Sequence, residues 1–83
     1  MSRKEKLLQK VLSGSRNVRF GDMVSLVNAF GFRLSRTSGS HHIFSHPGIS
    51  ELINLQKVHG RAKPYQIKQF LNLIERYNLK MED

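Results

Sequence analysis

Three of the chain's four histidines fall in Ser38-Gly39-Ser40-His41-His42-Ile43-Phe44-Ser45-His46-Pro47, directly after a glycine turn. Imidazole changes protonation near neutral pH, which suits it to general acid or base work. A neutral imidazole beside a ribose can remove the 2′-OH proton and let that oxygen attack the adjacent phosphorus, a reaction that formally needs no metal. Gly39 and Ser40 would let backbone amides approach a phosphate. Arg36, Lys57, Arg61 and Lys63 supply cations that can position phosphates and stabilise charge on the non-bridging oxygens. The same histidines also suit half-buried places in a polar hairpin, so spacing alone does not define an enzyme.

Other chemistries lack their parts. His42 and His46 are four residues apart, which on a strand is ~13 Å, too far for one metal ion. No carboxylate stands between Asp22 and Glu51, and the chain has no cysteine, P-loop, dinucleotide fingerprint or H-E-x-x-H motif. Ser40-His41 is a sequential pair, not a spatially arranged hydrolase dyad. Most aromatic residues fall on apolar faces and read as packing, with Tyr65 the exception at a helix start.

The elements that must hold these residues follow from periodicity. Ser2-Arg3-Lys4-Glu5 reads as a capping box opening a helix with Leu7, Leu8, Val11 and Leu12 on one face, and Ser13-Gly14-Ser15 ends it. Asp22 to Phe30 repeats Met23, Val24, Leu26, Val27 and Phe30 at helical spacing, and Gly31 suits the left-handed position beyond its end. The period then changes to two over Phe32 to Thr37 and His41 to His46, a hairpin about Ser38-Gly39-Ser40. On the second strand His41 shares a face with Ile43, whereas His42 and His46 share the face of Phe44. Leu52 to Val58 gives a third strand, with Ile53 and Leu55 opposite Asn54 and Gln56. Residues 59–63 read as a loop. Pro64 opens a last helix through Ile67, Phe70, Leu71, Ile74 and Tyr77, closing near Asn78 with Leu79 folded back. The predicted class is α+β in the order α-α-β-β-β-α, with a three-stranded antiparallel sheet covered by helices on one face and open on the other.

With 83 residues there is room for one domain, 1–83. Fourteen basic against six acidic residues leave a net charge of +8, a balance suited to a polyanion, with nucleic acid the leading partner class. The absence of cysteine, of a long apolar stretch and of a signal-peptide pattern predicts a soluble cytoplasmic protein with no membrane partner.

The sequence resembles the HicA-type toxins, bacterial mRNA interferases of toxin–antitoxin pairs with a fold like that of double-stranded-RNA-binding domains. Ala29-Phe30-Gly31-Phe32 is similar to that family's helix end before the first strand, Gly39-Ser40-His41-His42 to its Gly-Ser-His motif, and Lys63-Pro64-Tyr65-Gln66-Ile67 to the start of its closing helix. The likeness spans Val18 to Tyr77, so residues 18–79 would form the core and residues 1–15 an added helix and linker. It implies a metal-independent endoribonuclease with no cofactor, His41 as catalytic residue, Gly39 and Ser40 as its turn, and a HicB-type antitoxin covering the active face. Where many members carry Pro-x-His in the third strand, this chain has Leu55-Gln56-Lys57, with His59 two positions later. Two other readings remain: a non-catalytic RNA-binding module of the same fold, and a DNA- or protein-binding domain using its helices.

Overall fold

A computed structural model describes residues 2–82; Met1 and Asp83, the ends of the predicted 1–83 domain, lie outside the described residues. The helices are α1 (Arg3–Leu12), α2 (Phe20–Ala29) and α3 (Pro64–Arg76), and the strands β1 (Arg33–Ser38), β2 (His41–Ser45), β3 (Ile53–Val58) and β4 (Arg61–Ala62). Each strand pairs antiparallel with the next, giving the sheet order β1-β2-β3-β4.

The predicted three-stranded sheet thus has four strands, and the order becomes α-α-β-β-β-β-α. The fourth lies inside the predicted 59–63 loop, and its two residues are too few to show a period. His59 (φ 52°) and Gly60 (φ 78°) both adopt left-handed backbone, as a tight hairpin turn with the strands' own twist requires. Lys57 then faces Ala62, and Val58 faces Arg61.

α1 opens with the capping box that its sequence announces. The Glu5 N–H donates to Ser2 Oγ (3.2 Å), and the Ser2 N–H donates to Glu5 Oε1 (3.0 Å). Arg3 pairs with Asp22 at 3.1 Å and ties this helix to the first turn of α2. α2 begins two residues before the predicted Asp22, because the Phe20 N–H is satisfied by the Gly60 carbonyl (2.9 Å). Beyond α2, Gly31 sits at φ 94°, and a Cβ built there would lie 2.9 Å from His46 Nε2. α3 ends before Asn78 (φ 52°), and the Leu79 N–H returns to the Ile74 carbonyl (2.9 Å).

Helices and sheet share one core. Phe44, Ile53, Leu55 and Ala62 are buried from the sheet, Phe20, Met23, Leu26 and Val27 from α2, Ile67, Phe70 and Leu73 from α3, and Val11 from α1. Phe70 meets Phe30 and Phe32 edge to face, with ring centroids 5.5 and 6.2 Å apart. The alternate residues of β2 and β3, namely His41, Ile43, Asn54, Gln56 and Val58, are only partly buried and form the open face.

One polar side chain enters the core for a definable reason. Where β4 turns into α3, the Lys63 carbonyl accepts from the Gln66 and Ile67 N–H groups and starts the helix. Continuing the ladder from Lys57↔Ala62 would have used that carbonyl for Gln56. The Gln56 N–H instead donates to Gln66 Oε1 (2.6 Å), and Gln66 is 1% exposed. A side-chain amide thus stands in for the strand that ends there.

Candidate active face

His41 opens β2 on the open face, directly after a two-residue turn. Gly39 has φ 58° and Ser40 no positive φ, the pattern of a turn with glycine in its first central position. A Cβ at Gly39 would meet open space, so backbone conformation, not crowding, demands glycine there. Across the sheet His41 lies opposite Ser38 on β1 and Gln56 on β3.

Two amides on β3 hold this corner. His41 Nδ1 lies 3.3 Å from Asn54 Oδ1, which can only accept; the neutral tautomer that makes this bond carries its proton on Nδ1 and its lone pair on Nε2. The Gln56 side chain donates from Nε2 to Ser40 Oγ (3.3 Å), while its backbone is anchored from below by Gln66. Gln66 Nε2 in turn donates to the Tyr65 hydroxyl (3.3 Å), and Lys63 Nζ lies 5.8 Å from the Tyr65 ring centroid. A chain of polar contacts therefore runs from the Gly39-Ser40 turn to the start of α3.

The other histidines have different surroundings. His42 packs on Phe20 with centroids 4.7 Å apart, and its Nδ1 lies 3.1 Å from the Ser40 carbonyl. His46 packs on Phe32 at 5.0 Å, and its Nδ1 accepts from the Gly48 N–H (2.9 Å). His59 is exposed in the β3–β4 turn.

The predicted cations divide by face. Arg36 faces Ile43 across β1 and β2 and so lies on the His41 face, aided by a bulge between Leu34 and Arg36 that resets the alternation. Arg61, opposite Val58, is on the same face, with its Nε donating to Asn17 Oδ1. Lys57 is not brought to His41: it follows Leu55 by two residues and lies on the helix side, opposite Ala62, with its side chain exposed beyond the core. Lys63 is the residue before α3 and stands beside Tyr65.

Asn54 and Gln56 are additions to the residues singled out from sequence. Alternation placed them together on the polar side of β3, but only the register His41↔Gln56 and Ile43↔Asn54 sets them beside His41. The three side-chain ion pairs among the described residues, Arg3–Asp22, Arg33–Glu82 and Arg76–Glu51, involve none of Arg36, His41 and Arg61. Such a face can accept an anionic chain, offer a proton acceptor at its centre and hold phosphates on either side.

No helix among the described residues is long and apolar enough to cross a membrane. The family model described as the HicA toxin of bacterial toxin–antitoxin systems matches residues 20–75, well over half of the chain. No curated protein and no solved structure matches significantly.

Proposed function

The chain belongs to the HicA family of toxins from bacterial toxin–antitoxin systems, and from that premise we propose that it is a metal-independent endoribonuclease acting on mRNA in the cytoplasm. The observation that carries this reading is His41, set in the open face with Nδ1 engaged by Asn54 and Nε2 available, between Arg36 and Arg61, neither of which is ion-paired among the described residues.

In the proposed reaction His41 Nε2 takes the proton from a ribose 2′-OH. The 2′-oxygen then bonds to the adjacent phosphorus as the bond to the 5′-oxygen of the next nucleotide breaks. The products are a 2′,3′-cyclic phosphate and a 5′-hydroxyl, the latter protonated by water or by a lysine or tyrosine side chain. Arg36 and the backbone amides of Gly39 and Ser40 hold the phosphate, with Arg61 and Lys63 attracting its neighbours. The nuclease core is residues 18–79, a helix-backed sheet of the double-stranded-RNA-binding type, with α1 as an added element. A HicB-type antitoxin would inhibit by covering the same face with acidic or hydrogen-bonding groups.

The test is cleavage of end-labelled single-stranded RNA in EDTA by the wild type and His41→Ala, with the fold checked by circular dichroism. Loss of the imidazole is expected to slow cleavage by about 10²–10⁴-fold. Equal cleavage by both proteins would remove His41 from the mechanism. Salt-sensitive RNA binding with cleavage by neither would make the chain a binding module instead.

A further inference from the structure

The sheet's open face continues past β4. Residues 18–20 run antiparallel to residues 60–62, with the Phe20 N–H donating to the Gly60 carbonyl (2.9 Å) and the Ala62 N–H donating to the Val18 carbonyl (3.1 Å). These two bonds bracket the bridge Arg19↔Arg61. That arrangement makes Arg19 and Arg61 a non-hydrogen-bonded pair, the kind whose Cα atoms come within about 4.5 Å and whose side chains are closest. Val18, Phe20 and Ala62 are buried toward the helices, so the two arginines point to the opposite side. Val58↔Arg61 and His41↔Gln56 place that side in line with His41, two strands away and offset by two residues, or about 12 Å.

Two like charges directly opposite each other on a sheet oppose folding. Neither arginine has a carboxylate in the three ion pairs of the described residues. Arg61 uses its Nε on Asn17, which fixes the guanidinium and leaves its terminal amino groups for an acceptor. Arg19 precedes α2 and makes no side-chain capping bond. Between this pair and His41 lie Gln56 and Val58, and beyond His41 lies Arg36.

We propose that Arg19 and Arg61 form a second phosphate site for the RNA backbone, so that the substrate strand crosses the β-strands from Arg36, past His41, to this arginine pair. The inference rests on the nuclease reading above and adds to it the strand's path and a residue, Arg19, that holds substrate away from the scissile bond. Such contacts stabilise ground and transition states alike, so they govern KM and leave kcat unchanged.

The test uses the full chain carrying His41→Ala, so that labelled single-stranded RNA is bound without being cut, and reads affinity over a salt series. Adding Arg19→Ala and Arg61→Ala together should weaken binding about tenfold near 0.1 M salt. It should also make the slope of log K against log salt shallower by about 1.4, since each lost phosphate contact on a single strand contributes about 0.7. Lys68→Ala with Arg76→Ala removes the same charge from α3, outside the proposed path, and should leave the slope unchanged. With His41 intact, the Arg19/Arg61 double variant should raise KM at constant kcat. If the double variant does not fold, Arg19→Ala alone should lessen the slope by about 0.7. A slope equal to that of the α3 control, with RNA still bound, would overturn the arginine site and leave the nuclease reading standing. No RNA binding by the His41→Ala protein, with no cleavage by the wild type, would overturn both.

Discussion

The two sides of β2 use histidine in opposite ways. On the helix side His42, and His46 just past the strand's end, lie against Phe20 and Phe32, and the Nδ1 of each meets a backbone group two residues away. On the open side His41, adjacent to His42 in sequence, is half-buried and has its one side-chain hydrogen-bond partner in the amide of Asn54. Strand alternation alone separates them. A ring packed on a phenylalanine and bonded to its own backbone serves the turn it sits in, while a ring held by one nitrogen keeps the other for chemistry. The strand is therefore divided lengthwise into a structural side and a reactive side, and each should fail differently when changed.

The strongest way to break that division is to compare adjacent residues on the two sides. Phe44→Ala empties a position that is 1% exposed and should cost about 3–5 kcal/mol. A domain of this size is stable by only about 4–12 kcal/mol, so denaturant unfolding should show a large fall or no folded state. Ile43→Ala, one residue earlier and half-buried, should cost about 1 kcal/mol or less. Comparable losses at the two positions would show that the open face is packed against something and that the division is false.

A smaller effect should come from Gln66, a buried side chain that holds the backbone of Gln56 on the strand bearing the reactive face. Gln66→Met keeps the volume but leaves the Gln56 N–H without its acceptor, which should cost about 1–3 kcal/mol. Gln56 also holds Ser40, so RNA cleavage should fall as well, even at temperatures where the variant is fully folded. Cleavage unchanged in a folded, destabilised Gln66→Met protein would confine Gln66 to the structural side and separate the turn from the core.

Much of this division can be read in the sequence, because it rests on periods of two and 3.6. The capping box at Ser2, the helix from Pro64, the left-handed Gly31 and Asn78, and the opposed faces of His41 and His42 all follow from local pattern. Alternation from Leu55 also puts Lys57 on the helix side, yet its charge suggested a place beside His41; local geometry outweighs charge there. Contacts between distant segments are not legible in this way. β4 exists because Arg61 and Ala62 find partners in Lys57, Val58 and residues 18–20, and two residues carry no period of their own. The early start of α2 and the burial of Gln66 have the same origin, since both answer a backbone group presented by another part of the chain. Asn54 reads as a polar strand residue until the register sets it beside His41.

The smallest effect should appear in a polar cluster at the end of α3, which belongs to neither side of β2. The Tyr77 hydroxyl donates to the Glu51 carboxylate (2.5 and 2.6 Å), and Arg76 pairs with it at 3.1 Å. The Tyr77 bond, with lesser help from Ser50 and Arg76, holds the Glu51 carboxyl below its ordinary value of 4.5, and the carboxylate raises the Tyr77 phenol above 10.0. A lowered carboxyl favours the charged form in the folded state, so its contribution is complete above pH 4.5 and disappears as pH falls through the folded value. A raised phenol favours the protonated form, so its contribution is complete below pH 10 and disappears as pH rises through the folded value. Glu5, lowered by the Ser2 backbone N–H and hydroxyl, adds to the acid limb alone. Tyr77→Phe should therefore flatten the alkaline limb of Tm against pH and part of the acid limb, leaving the share due to Glu5. All these groups are accessible to solvent, so the changes should be slight and lessened by salt. RNA cleavage at neutral pH should be unaltered, because the cluster's hydrogen bonds include none to His41, Asn54 or Gln56. A Tyr77→Phe protein that loses cleavage while keeping its fold would place α3's end within the reactive surface and redraw the boundary between the two sides.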